Sequence, residues 1–184
     1  MPRIQPVVHS EATGDAKALL DGVQSALGMV PNIFATFVHS PKALEGFLAL
    51  NQALGGGQLP GPLREQVALT IAGANTCDYC ASAHSALGKG QGLSGEEMTA
   101  NLGGRSSDIT TQAALTFVRK AVDQRGRVAD TDVQSLRDAG FTEGQIVEIV
   151  FHIGINILTN YFNHIVETDI DFPAVSADAQ SAAA

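Results

Sequence analysis

The chain of 184 residues is 45% hydrophobic and 16% charged, a size and composition that let one domain bury a core without crosslinks or metals. Its net charge of −8, with 11 lysines and arginines in no basic cluster, lacks the electrostatic footprint of a nucleic-acid binder. No apolar run has the length and purity of a signal peptide or a bilayer span, so the expectation is a soluble cytoplasmic protein, one domain over residues 1–184 with a frayed tail at 174–184.

Apolar residues recur three and four apart almost everywhere, without a convincing stretch of strict alternation, which predicts an all-α fold. The first helix is expected from Ala12 to Leu27, with a stripe of Ala16, Leu19, Leu20, Val23 and Leu27 closed by Gly28 and the turn Pro31-Asn32. A short helix around Ile33 to Val38 and a longer one from Pro41 to Leu54 follow, the latter stopped by Gly55-Gly56-Gly57. Pro60 and Pro62 open the next, where a missing amide donor costs nothing. Ser94 with Glu97, and Thr142 with Gln145, have the spacing of capping boxes, and Asp108 and Asp130 are candidate N-caps. The last helix, Gln145 to about Glu167, is apolar most of the way round and so is expected to be central, in the domain or in an interface between subunits. Its polar stripe, His152, Asn156, Asn160 and Asn163, reads as a solvated or interfacial face.

The only two cysteines lie in NTCDYCASAH, residues 75–84. A disulfide between Cys77 and Cys80 would close too short a loop to stabilise much, and in a reducing compartment such a pair points to redox chemistry or metal binding. At 100° per residue Cys77, Cys80 and His84 share a helix face. Asn75 or Thr76 could cap a helix beginning at Cys77, whose first-turn amides and dipole would favour a thiolate. His84 could take the thiol proton directly or through a water. Glu65, followed on its face by Ala68, Leu69 and Ala72, is a carboxylate able to orient that histidine, or else simply one stabilised at a helix start. Zinc is a competing reading, with His152 or His164 as a fourth ligand, but two cysteines and one near histidine leave a structural site incomplete.

Glu65, eleven intervening residues, Cys77-Asp78-Tyr79-Cys80, three residues and His84 resembles the signature of the alkylhydroperoxidase D-like branch of the carboxymuconolactone decarboxylase family. LGMVPNIFATFVHSP upstream and the closing NILTNYFNHIVETDIDFP resemble its peroxidase-related members. The resemblance implies an all-α helical bundle assembled as homotrimers or homohexamers, and peroxide reduction without a cofactor or metal. It also implies that Cys80 attacks the peroxide, Cys77 resolves the sulfenic acid as a disulfide, and His84 and Glu65 relay protons. A dithiol reductant, such as a lipoyl group or a thioredoxin-like protein, would reset the site.

One departure is Tyr79, where the better-known members carry histidine. A phenol can donate a hydrogen bond to a thiolate or peroxide but is a poor base near neutrality, so Tyr79 reads equally as a supporting residue or as core. Lactone decarboxylation, the family's other activity, does not depend on a cysteine pair. A non-catalytic oligomeric binding protein with a vestigial dithiol is the remaining alternative. By analogy with thioredoxin-type sites, the roles of Cys77 and Cys80 could also be exchanged.

Overall fold

A computed structural model describes residues 1–178. Among them a short 3-10 turn, His9–Glu11, precedes nine α-helices: α1 (Gly14–Leu27), α2 (Asn32–Phe37), α3 (Pro41–Gly55), α4 (Gly61–Ala74), α5 (Asp78–Gly90), α6 (Gly95–Leu102), α7 (Ile109–Asp123), α8 (Asp130–Asp138) and α9 (Glu143–Val166). The all-α expectation holds, and no helix among the described residues is long and apolar enough to cross a membrane.

The predicted boundaries hold to within a residue or two. Gly28 closes α1 in the left-handed conformation, at φ 76°, which costs glycine little for want of a Cβ. Thr142 and Gln145 form the expected reciprocal box at the start of α9: Gln145 N–H donates to Thr142 Oγ1 at 3.2 Å and Thr142 N–H to Gln145 Oε1 at 2.9 Å. Asp108 caps α7 through Thr111 N–H at 2.8 Å.

Two caps differ. Ser94 accepts from Glu97 N–H, but the Glu97 carboxylate turns inward to Gln66, Asn101 and Ser106 rather than back to the Ser94 amide, because those donors would otherwise be buried without an acceptor. At α8 the cap position is Ala129, whose amide donates to Asp132 Oδ2, and Asp130 is the first helical residue.

At the centre of the fold, beside the expected α9, lies α4. It packs against α5, α6, α7 and α9 and separates two hydrophobic clusters. Leu69 and Ala72 face one, with Leu20, Leu44, Phe47, Tyr79, Ile155 and both cysteines. Val67 and Ile71 face the other, with Leu115, Val118, Leu136 and Ile149. Each such fully buried aliphatic chain contributes about 1.5–3 kcal/mol. The approach of α4 to the end of α6 is close enough that a Cβ on Gly73 would lie 1.9 Å from the Leu102 carbonyl oxygen, so only glycine fits.

The last helix corrects the sequence reading. Its stripe of His152, Asn156, Asn160 and Asn163 is buried, while Val147, Val150, Phe151, Leu158, Tyr161 and Ile165 are exposed. Polarity is inverted relative to an ordinary surface helix, because the polar side of α9 walls the dithiol and an adjoining cavity.

The segment after α9 folds back across the start of α5. Val175 N–H donates to Ser82 Oγ at 2.9 Å and Ala177 N–H to Asp78 Oδ1 at 2.8 Å. These residues, expected to fray, are docked, and residues 179–184 of the expected tail lie outside the described residues.

Candidate active site

Cys77 is not the first residue of α5 but its N-cap. Its Sγ accepts the Cys80 backbone N–H at 3.4 Å, and its own N–H reaches back to the Ala72 carbonyl at 2.9 Å. The link between α4 and α5 is only Asn75, Thr76 and Cys77, and Thr76 takes up the turn at φ 52°, a left-handed conformation unfavourable for a β-branched residue. Capping by sulfur therefore replaces the Asn75 or Thr76 cap expected from the sequence. Asn75 serves α9 instead: its side chain donates to Asn160 Oδ1 at 3.0 Å, and its carbonyl is hydrogen-bonded by His164 Nε2 at 2.9 Å.

Both sulfurs are buried, at 2% exposure for Cys77 and 3% for Cys80, and both are free thiols. They titrate as a pair. The Cys80 S–H donates to Cys77, and with the Cys80 backbone N–H, the charge of His164 and the Asn163 amide it brings the Cys77 thiol down to about 7 against the opposing effect of burial. Cys80, holding that proton and buried next to the resulting thiolate, is pushed far up, only partly offset by Asn163 and Thr159. The Asn163 amide donates to Cys80 Sγ at 3.3 Å. One negative charge near neutrality, shared by one proton between two sulfurs, is what this arrangement holds.

On the far side of Cys80, His84 Nδ1 lies 2.8 Å from Glu65 Oε2, both side chains being largely buried. Donation from Nδ1–H to the carboxylate fixes the ring and turns Nε2 away from Glu65. The structure thus brings Glu65 and His84 together, as the sequence spacing suggests. Among the described residues neither sulfur has His84 as a hydrogen-bond partner, so of the two expected routes, direct or through a water, the direct one is not formed here. A cavity of about 170 Å³ is lined by Glu65, His84, Arg64, His152, Asn156 and Thr159 with the apolar Phe47, Ala68 and Ile155, and neither cysteine is part of its lining. Thr159, whose hydroxyl donates to the Asn156 carbonyl at 3.0 Å, lines this cavity and also acts to lower the Cys80 thiol, which relates the cavity wall to the dithiol.

Tyr79 resolves as core. Its phenol oxygen accepts the Ile33 N–H at 3.3 Å, and its ring meets Phe172 edge to face at 5.8 Å. Burial, together with the charge of Asp171, pushes the phenol far up, and the hydroxyl is directed at α2 rather than at a sulfur. The zinc alternative finds no support in the geometry: His84 faces Glu65, His164 faces the Asn75 carbonyl, and among the described residues no three His, Cys, Asp or Glu side chains converge. The residues that sequence reading missed are Thr159, Asn163 and His152. Two of them sit in the polar stripe of α9, whose regular spacing on an apolar helix was the available signal.

The described residues thus combine a helix-capping pair of free thiols with a histidine–carboxylate pair inside an all-α bundle. The sequence model of the carboxymuconolactone decarboxylase family matches residues 41–124, a span that holds all four signature residues. Among solved structures, the fold matches the alkylhydroperoxidase AhpD core protein of Ralstonia eutropha JMP134, an uncharacterized peroxidase-related protein, at a TM-score of 0.82 and 25% identity over 92% of each chain. It also matches an uncharacterized peroxidase-related protein of Silicibacter sp. TM1040, at 0.78 and 24% identity over 90% of this chain and 91% of that one. The debrominase Bmp8, solved with 2,3,4-tribromopyrrole, shares the fold at 0.78 and 21% identity over 91% of each chain. Comparison with curated proteins yields no match. Residues 41–124 are thus similar to the carboxymuconolactone decarboxylase family model, and the whole described fold is similar to that of AhpD-like structures.

Proposed function

We propose that the chain is a dithiol peroxidase that reduces alkyl hydroperoxides or hydrogen peroxide. The observation that carries this reading is the buried Cys77–Cys80 pair, one proton below full protonation near neutrality, next to a cavity walled by Glu65 and His84. Cys80 is the sulfur linked to that cavity through Thr159, so transfer of the shared proton to Cys77 would place the attacking thiolate where a peroxide can reach it. Attack on the distal oxygen forms the S–O bond and breaks O–O; the leaving alkoxide takes a proton that His84 relays from solvent and departs as alcohol, leaving Cys80 a sulfenic acid. The Cys77 thiol then displaces water and closes the disulfide. The peroxide gains two electrons, the dithiol loses two, and an external dithiol, lipoyl or thioredoxin-like, restores it.

Glu65 holds the imidazole in the tautomer that the proton transfers need. The reducing cytoplasm suits a site that must be reset by thiols. The exposed apolar side of α9 supports association of copies, as trimers or hexamers, because monomers seldom leave so continuous an apolar strip to water.

The test is peroxide consumption by the purified protein with a dithiol reductant. Cys80→Ser should abolish it and Cys77→Ser should stall after one equivalent with a trappable sulfenic acid. Full activity in Cys80→Ser would overturn the reading, and a sulfenic acid on Cys77 in that variant would exchange the two roles. Bromide release from a brominated pyrrole without peroxide turnover would instead assign the dithiol to debromination, the activity by which Bmp8 is named.

A further inference from the structure

The cavity beside the dithiol contains a group that the peroxidase scheme does not use. His152 is 6% exposed, its Nε2 is buried without a hydrogen-bond partner, and it lines the same void as Glu65 and His84. A buried imidazole nitrogen left without a partner loses the hydrogen bonds it would make in water. Asn156 does not relieve it, because its amide donates to the His152 backbone carbonyl. Burial holds the ring in its neutral form, with the positive charge of Arg64 acting in the same direction and Glu148 and Glu65 opposing.

The rest of the lining specifies what such a nitrogen would meet. Exposed Asn51 and Gly55 on α3 form the mouth, while Phe47, Ala68 and Ile155 give a buried apolar wall. Arg64 also lines the void, with its Nη1 donating to the Gly55 carbonyl at 2.7 Å and closing α3 onto α4. Glu65 presents a carboxylate to the same void, so the lining carries one group of each charge beside the two histidines. A void of about 170 Å³ compares with the roughly 150 Å³ that accommodates a benzene-sized molecule.

Resting on the peroxidase reading, we propose that His152 is a substrate-binding residue, which hydrogen-bonds the oxygen of a compact, neutral alkyl hydroperoxide seated in this cavity opposite the Glu65–His84 pair. The apolar wall takes the alkyl group, and a lipid hydroperoxide is a poor substrate because its chain overfills the void.

The probe is tert-butyl alcohol, the product-like isostere of tert-butyl hydroperoxide, added to the full-length Cys77→Ser/Cys80→Ser protein, which cannot turn over. Proton–nitrogen spectra of the imidazoles, with His152 assigned through His152→Gln, should show a saturable shift of its ring signals. His152→Leu should weaken the alcohol about tenfold, the equivalent of one hydrogen bond, and His152→Gln should recover most of that loss. In the dithiol-intact protein His152→Leu should raise KM for tert-butyl hydroperoxide by a similar factor, the effect falling on KM rather than kcat. An unmoved His152 signal at saturating alcohol, or equal affinity in His152→Leu, would overturn the proposal even if peroxide is still consumed. A shifted His152 signal in a protein whose wild type consumes no hydroperoxide would instead sink the peroxidase reading and leave the binding site standing.

Discussion

Removing the Cys80 thiol while keeping the helix that carries it is the sharpest test of how the site makes a thiolate. Cys77 is brought from an ordinary value of 9.0 down to about 7, which corresponds to roughly 3 kcal/mol in favour of its charged form. The largest share comes from the Cys80 S–H, followed on the same side by the Cys80 backbone N–H, His164 and Asn163. Cys80→Ala deletes the first and keeps the others, since an alanine at that position still presents its amide to Cys77 Sγ. A hydrogen bond to a charged acceptor is worth about 1.5–3 kcal/mol, so the Cys77 midpoint should rise to between about 8 and 9. At neutral pH the thiolate fraction would then fall from about one half to between about a tenth and a hundredth.

The assay is ultraviolet thiolate absorbance against pH, with alkylation rate as a second readout. Wild type should gain one thiolate on passing upward through about pH 7 and lose it, with its peroxide reactivity, as pH falls below that value. The second thiol should remain protonated well beyond, because it would ionise beside an existing charge. A wild-type titration with no ionisation below the ordinary thiol range, or a Cys80→Ala protein still ionising near 7, would refute the shared-proton account. In that event the helix amides or a different base would have to generate the nucleophile.

Further outcomes follow from other parts of the fold. Glu65→Gln keeps the shape of the side chain but removes the charge holding His84, and steady-state turnover should fall on the order of a hundredfold with the Cys77 titration unchanged; an unaffected rate would take Glu65 out of the mechanism. Gly73→Ala places a Cβ against the Leu102 carbonyl, an overpacking that costs about 3 kcal/mol and should lower Tm by roughly 6–12 °C in a domain of this size; thermal unfolding decides. Leu158→Glu and Tyr161→Glu, on the exposed side of α9, should convert an oligomer to monomers in light scattering without loss of helicity, whereas a monomeric wild type would contradict the self-association.

What the sequence disclosed, and what it hid, separate along a physical line. Periodicity located the helices because each buries one face, and the pairings Thr142 with Gln145 and Asp108 with Thr111 are local enough to be visible as spacing. The grouping of Glu65 with His84 was also foreseeable, since α4 and α5 are antiparallel neighbours joined by a three-residue link. The orientation of α9 was not, because a pattern of apolar and polar residues states how a helix is divided but not which half faces inward. Ordinary burial would put Val147, Phe151, Leu158 and Ile165 inside. The opposite outcome is stable here because most of the inward polar groups find partners: Asn160 accepts from Asn75, Asn163 donates to Cys80, Asn156 donates to the His152 carbonyl, and Thr159 donates to the Asn156 carbonyl.

The same arithmetic explains why the inversion belongs to function rather than to folding. A helix that also turned Phe151, Leu158 and Ile165 inward in place of its asparagines would bury more apolar area and leave fewer amides to satisfy, so stability alone would select against the arrangement observed. Two demands oppose that preference. The dithiol requires donors against its sulfurs, which only a polar face of α9 can supply at Asn163 and Thr159, and the cavity requires a wall able to bond an oxygen. If the outward apolar strip is covered by another copy, the area lost from the core is recovered at the interface, and one helix serves as active-site wall on one side and subunit contact on the other. Assembly and catalysis would then be coupled through α9: a charge introduced at Leu158 should not only separate the subunits but also disturb Thr159 beside it, so that the Cys77 titration shifts when the oligomer dissociates.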